Sequence, residues 1–141
     1  MSKNDSRRQS GRDLLLVIDG HSLIYRAWYA IPLSMMSRKL GIETKATYGF
    51  MNAFLRSINE WNPTHCAVAF DPRGPTFRHE QFPEYKAHRQ TSPPEIPSQV
   101  ELTQEILKLL NIPVIQIDGY EADDVLGALA GAAESSGLDT I

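Results

Sequence analysis

One cysteine in 141 residues excludes an intrachain disulfide and a cysteine-rich zinc cluster. Cys66 lies among apolar neighbours, the setting of a buried structural thiol. Long hydrophobic runs are missing too. The longest aliphatic stretch is Leu14–Ile18, against the roughly 20 residues a membrane-spanning helix needs. No low-complexity tract or internal repeat interrupts the chain, and its 42% hydrophobic content is enough for one compact core. Residues 1–13 carry Lys3, Arg7, Arg8 and Arg12 against Asp5 and Asp13, without the apolar segment of a secretory signal. They read as a disordered basic tail on a cytoplasmic protein with no membrane partner. A large positive charge is absent as well, the net charge being −3. That does not exclude nucleic acid, because acids gathered around divalent metals cancel basic residues in the total.

What is present alternates strand and helix. Leu14–Ile18 suits a strand buried on both faces and ends at Asp19. Cys66–Phe70 ends likewise at Asp71, and Pro113–Ile117 at Asp118, which reads as a turn residue. Between them, Met51, Phe54, Leu55 and Ile58 keep helical spacing, and Asn62-Pro63 closes that helix. Val100, Thr103, Leu107 and Leu110 share a second stripe on a helix starting near Pro97. Ala122, Val125, Leu126, Leu129, Ala130 and Ala133 form a third, ending before Gly137. The pattern predicts an α/β fold with a mainly parallel sheet flanked by helices.

In such a sheet, reactive groups gather at the carboxyl ends of strands, where Asp19 and Asp71 fall. A third acidic group, Glu121, Asp123 and Asp124, opens the last helix. At 100° per residue, Glu121 and Asp124 lie about 60° apart and away from the apolar stripe, with Asp123 further round. Each acid has a plain structural use, at a helix N-terminus or in a turn. Five converging carboxylates do not: two unit charges ~4 Å apart repel by ~4 kcal/mol at an effective dielectric near 20. Oxygen-only ligands favour magnesium or manganese over zinc, and paired metals suit phosphodiester hydrolysis.

An excursion over residues 72–97 holds six of the nine prolines, interleaved with basic and aromatic side chains. Beside a metal cluster, Arg78, Lys86 and Arg89 can grip a phosphate, and Tyr85 can stack on an unpaired base. His21, His65, His79 and His88 share no metal-ligand spacing, and His65 falls at a strand start.

Leu16–His21, Tyr48–Phe50, Ala67–Asp71, Pro75–Glu80, Pro83–Arg89 and Gly119–Asp124 together resemble, in order and spacing, the 5′-nuclease domain of bacterial DNA polymerase I. That family is related to flap endonucleases among the PIN-like nucleases. The resemblance runs from residue 14 to 141. It implies a two-metal Mg²⁺ or Mn²⁺ nuclease acting on 5′ ends and flaps of DNA in replication and repair, with a polymerase domain in the native gene. Asp19, Asp71, Glu121, Asp123 and Asp124 match its metal-site positions. Lys86 and Arg89 match its catalytic basic pair, in a region that arches over the single strand. Tyr48 and Gly49 match the start of a helix close to substrate phosphates.

The family continues into further metal-site acids and a helical hairpin, so the resemblance covers about the first half of its domain. Gly137–Ile141 reads as a helix stop followed by the first residues of a fourth strand, and the fold is expected to be truncated there. The alternative reading is a non-catalytic DNA-binding fragment using Arg78, Lys86 and Arg89. A haloacid-dehalogenase-type phosphatase needs an acid two residues after the nucleophilic aspartate, whereas Asp19 is followed by Gly20 and His21.

Overall fold

A computed structural model of the chain describes residues 11–74, 76–86 and 92–141. The elements run β1 (Leu14–Asp19), α1 (Gly20–Ala30), α2 (Lys45–Trp61), β2 (His65–Ala69), α3 (Phe77–Gln81), α4 (Ile96–Leu109), β3 (Val114–Ile115), α5 (Ala122–Ser135) and β4 (Asp139–Thr140). All four strands are parallel, in the order β3-β2-β1-β4. From β1 to β3 the chain steps in one direction, then crosses back to the far side of β1. Crossovers of one hand that step in opposite directions lay their helices on opposite faces. The core divides accordingly. Ile24, Phe50, Phe54, Val68, Phe70, Ile96, Val100 and Leu107 pack α1, α2 and α4 on one side, while Ala69 meets Ala122 and Val125 of α5 on the other. Val68, Ala69 and Phe70 thus alternate faces, as the strand period of two requires. The reversal falls beside the carboxyl end of β1, where ligands of open α/β sheets bind.

Several expectations shift. β1 is not buried on both faces: Leu16 alone is buried, and its other five residues are half-buried. β3 is two residues long rather than five, since Pro113 has no amide to give and Gln116 turns to the Asp71 carbonyl. In α2 the buried face centres on Ala46, Thr47, Phe50 and Phe54, leaving Leu55 half exposed. Leu110 is likewise half exposed, at the C-cap of α4. Asn62 ends α2 in the left-handed conformation (φ 44°), and Gly137 follows α5 at φ 79°.

Two glycines are set by close approach. A Cβ on Gly20 meets the buried Phe70 ring at 2.4 Å, and one on Gly49 meets the Ala27 Cβ at 2.6 Å. Gly49 therefore lets α1 and α2 cross closely. The start of α2 is also earlier than the resemblance implies: the helix begins at Lys45, with Tyr48 its fourth residue.

The amides opening α2 are taken up by protein acceptors. Glu43 Oε1 accepts from Lys45 at 3.1 Å and Thr44 at 3.2 Å. The fully buried Gln99 of α4 supplies Oε1 to Ala46 at 2.7 Å and Thr47 at 3.3 Å. Burial pushes the Glu43 pKa up, but hydrogen bonds from Ser34 and the Met35, Lys45 and Thr44 amides hold it below the ordinary glutamate value.

Candidate active site

Asp19 is the last residue of β1 and the N-cap of α1. Its Oδ1 accepts from the Ser22 amide at 3.1 Å and its Oδ2 from the Ser22 hydroxyl at 2.9 Å. Asp71 follows β2, and its Oδ1 accepts the Ala122 amide, the first of α5, at 2.8 Å. Its own amide donates to His21 Nδ1 at 3.0 Å, and its carbonyl accepts from Gln116 Nε2 at 2.7 Å. One aspartate therefore ties together the ends of β2 and β3 and the starts of α1 and α5.

Glu121 caps α5, and Asp124 at the third helical position returns the contact, Oδ2 accepting the Glu121 amide at 3.0 Å. Both carboxylates are clasped from the excursion. Arg78 forks onto Asp124 at 2.7 and 2.8 Å and reaches Glu121 Oε2 at 2.8 Å. Lys86, with left-handed backbone (φ 58°), donates to Glu121 Oε1 at 2.6 Å. The Phe77 amide adds a bond to the Gly119 carbonyl at 2.7 Å, fixing α3 to the loop before α5.

The electrostatics follow this division. Burial pushes Glu121 up, yet the Lys86 hydrogen bond and charge, then Arg78, bring its pKa below the ordinary value. The Arg78 hydrogen bonds hold Asp124 low as well, and those same bonds raise Arg78 itself. Asp123 moves the opposite way. Burial of its carboxyl raises its pKa, and so do the Asp19 charge and hydrogen bond and the charges of Glu121 and Asp71. His21 is pushed below the usual histidine value by burial, against the pull of Asp71 and Asp19, so its ring is neutral at pH 7.

The five acids thus share one edge of the sheet but not one role. Asp19, Asp71 and Asp123 face each other's charge, whereas Glu121 and Asp124 are held by Arg78 and Lys86. Among the described residues, no three acidic, histidine or cysteine side chains are disposed to enclose one ion as they stand. In donor chemistry the set fits a hard divalent cation, because it offers only oxygens and a like-charge repulsion that a cation relieves.

Tyr85 directs its hydroxyl to Glu121 Oε2 at 3.3 Å and packs its ring against His79. Tyr48 is about half exposed on α2. Arg89 lies outside the described residues, as do residues 1–10 of the basic tail. Sequence reasoning missed His21 and Gln116, which bracket Asp71. The available signal was position alone: each lies one or two residues beyond a strand end.

A parallel sheet carrying acids at the carboxyl ends of adjacent strands, with a basic excursion clasped to them, defines a PIN-like 5′-nuclease fold. Phage T5 5′-exonuclease in a lysine-to-alanine mutant has this fold, with a TM-score of 0.60 at 18% identity over 88% of this chain and 40% of that one. The T5 flap endonuclease, solved as a pseudo-enzyme-product complex with DNA and metal ions, gives 0.57 at 17% identity, over 90% and 47%. DNA polymerase I of Geobacillus stearothermophilus is 45% identical over 127 residues, 90% of this chain and 14% of the relative. Residues 14–141 match the family described as 5′-3′ exonuclease, N-terminal resolvase-like domain, and the chain belongs to that family. It spans about one seventh of the length of the curated polymerase relatives it matches.

Proposed function

We propose that this chain contributes the acidic edge of a divalent-metal-dependent 5′ nuclease that hydrolyses DNA phosphodiesters at 5′ ends and 5′ flaps, in replication and repair. One observation carries the reading: Asp123 of α5 sits within the fields of Asp19 and Asp71, carboxylates from the ends of two adjacent strands. Asp19, Asp71 and Asp123 would hold Mg²⁺ or Mn²⁺, joined by Glu121 and Asp124. Bound there, the ion supplies a more acidic water and positive charge beside the phosphate. The chain's own cations do the rest. Arg78 and Lys86, already at the carboxylates, carry charge that can pass to a phosphate entering the edge, and Arg89 completes the basic group. His21, accepting from the Asp71 amide, keeps that aspartate in place. A polymerase domain in the same native protein is part of the proposal, supported by the polymerase I relatives.

The test is cleavage of a 5′-labelled flap DNA with Mg²⁺ or Mn²⁺, beside Asp123→Ala. Metal-dependent cleavage that the variant loses supports the nuclease. A second reading, a DNA-binding piece without chemistry, is favoured by the engagement of Glu121 and Asp124 with Arg78 and Lys86. Flap binding that persists without cleavage in any divalent metal would select it.

A further inference from the structure

Behind Asp71, on the side away from Asp123, the structure holds a cavity of about 380 Å³ between α1, the residues after β2, and α4. This volume lies within the range of small-ligand sites. Its floor is apolar, formed by the Tyr25 ring with the buried side chains of Ile96 and Val100. Polar groups with spare capacity line the rest. His21 Nδ1 accepts from the Asp71 amide, which places the ring proton on Nε2. Gln116 spends an amide hydrogen on the Asp71 carbonyl and keeps its oxygen. The Gln104 side chain, also in the lining, makes no hydrogen bond among the described residues, so both halves of its amide are available.

Charge decides what such a cavity takes. Among the described residues the one cation on its wall, Arg73, is ion-paired with Glu101, and Asp71 adds a further negative charge. A phosphate is therefore disfavoured. A flat ring with its own donors and acceptors is favoured, one face against the floor of Tyr25, Ile96 and Val100, its edge toward the amides.

We propose that this cavity is a subsite for one unpaired nucleobase of the DNA strand whose backbone meets the acidic edge. This rests on the nuclease reading above, and it makes α4 a substrate-contacting element rather than only a covering of the sheet. The test follows the Gln104 and Gln116 side-chain amides of the ¹⁵N-labelled chain by NMR, in metal-free buffer. The probes are dAMP, dCMP and 2-deoxyribose 5-phosphate. Saturable shifts of both amides with the nucleotides but not with the sugar phosphate are expected. Gln104→Leu should weaken binding about tenfold, the factor of one lost hydrogen bond. Gln104→Trp, which fills the space from a partly exposed helix position, should remove it. Equal shifts with the sugar phosphate, no saturable shift with either nucleotide, or unchanged affinity in Gln104→Leu would overturn the subsite. No cleavage occurs without metal, so the two readings fail separately. A chain that cuts no flap yet binds dAMP keeps the subsite, and one that cuts flaps but ignores both nucleotides loses it.

Discussion

Replacing Gln99 by leucine tests how α2 is held. The side chain is fully buried, and its Oε1 serves the amides of Ala46 and Thr47, both in buried residues. Leucine has nearly the same volume but no acceptor, so both amides lose their partner without access to water. Each buried unsatisfied donor costs ~1–3 kcal/mol, about 4 kcal/mol for the pair. The added apolar burial of leucine offsets roughly 1–2 kcal/mol. The net loss is then about 2–3 kcal/mol, or a fall in Tm of roughly 8–12 °C for a domain of this size. Urea unfolding followed by far-UV circular dichroism measures it, with Gln99→Glu as control. Buried without a cation, that glutamate carboxyl is neutral, keeps the acceptor and turns its O–H to the Glu95 carbonyl, so it should fall between wild type and Gln99→Leu. A loss below ~1 kcal/mol in Gln99→Leu would show that water reaches the start of α2 and that the bracket is not what holds it.

Other expectations are independent of that one. Gly20→Ala places a methyl 2.4 Å from the Phe70 ring and should cost ~1–3 kcal/mol by overpacking; a neutral result in thermal unfolding would mean that the ring can yield. Arg78→Leu removes the partner of two carboxylates whose pKa values it depresses. Depressed acids stabilise the fold above their unfolded pKa, and that stability is lost as pH falls through their folded values. The variant should therefore lose stability at pH 7 and show a flatter decline below about pH 4, with carbon NMR placing Glu121 and Asp124 closer to ordinary values. An unchanged acid limb would sink this. Burial pushes the Cys66 thiol up to about 11, so at pH 8 its thiolate fraction is on the order of 10⁻³. Its reaction with a disulfide reagent should be slow when folded and fast in denaturant; equal rates would place the thiol in the open.

Much of this architecture could be read in the residues, for identifiable reasons. Strands that end in aspartate announce themselves through aliphatic runs, and the Val100, Thr103 and Leu107 stripe is buried at each position. Helix α1 was harder to read, because Gly20 after Asp19 looks like turn chemistry until Phe70 is found against it. A helical wheel gives directions, not partners. It put Glu121 and Asp124 together and Asp123 apart, but nothing in the spacing said that Arg78 would take the first two. Gln99 reads as one more polar residue in an amphipathic helix, and only packing across 53 positions of chain reveals it as the cap of another.

The pairing of β1 sets an order of assembly. On one side it meets β2 across 50 residues, Leu15 against His65. On the other it meets β4 across 125 residues, Leu14 against Asp139. Loop-closure entropy rises with the logarithm of length, so the longer closure costs only roughly 0.8 kcal/mol more. Yet β4 repays it with two paired residues, where β2 offers five. The β1–β2 pair, with Asp19 and Asp71 at its end, is accordingly the early partner in folding, and β4 with the end of α5 docks late. Asp123 lies at the other end of α5, next to the Ala122 amide that Asp71 holds, so the third carboxylate joins the edge through a closure of 51 residues and does not wait for β4.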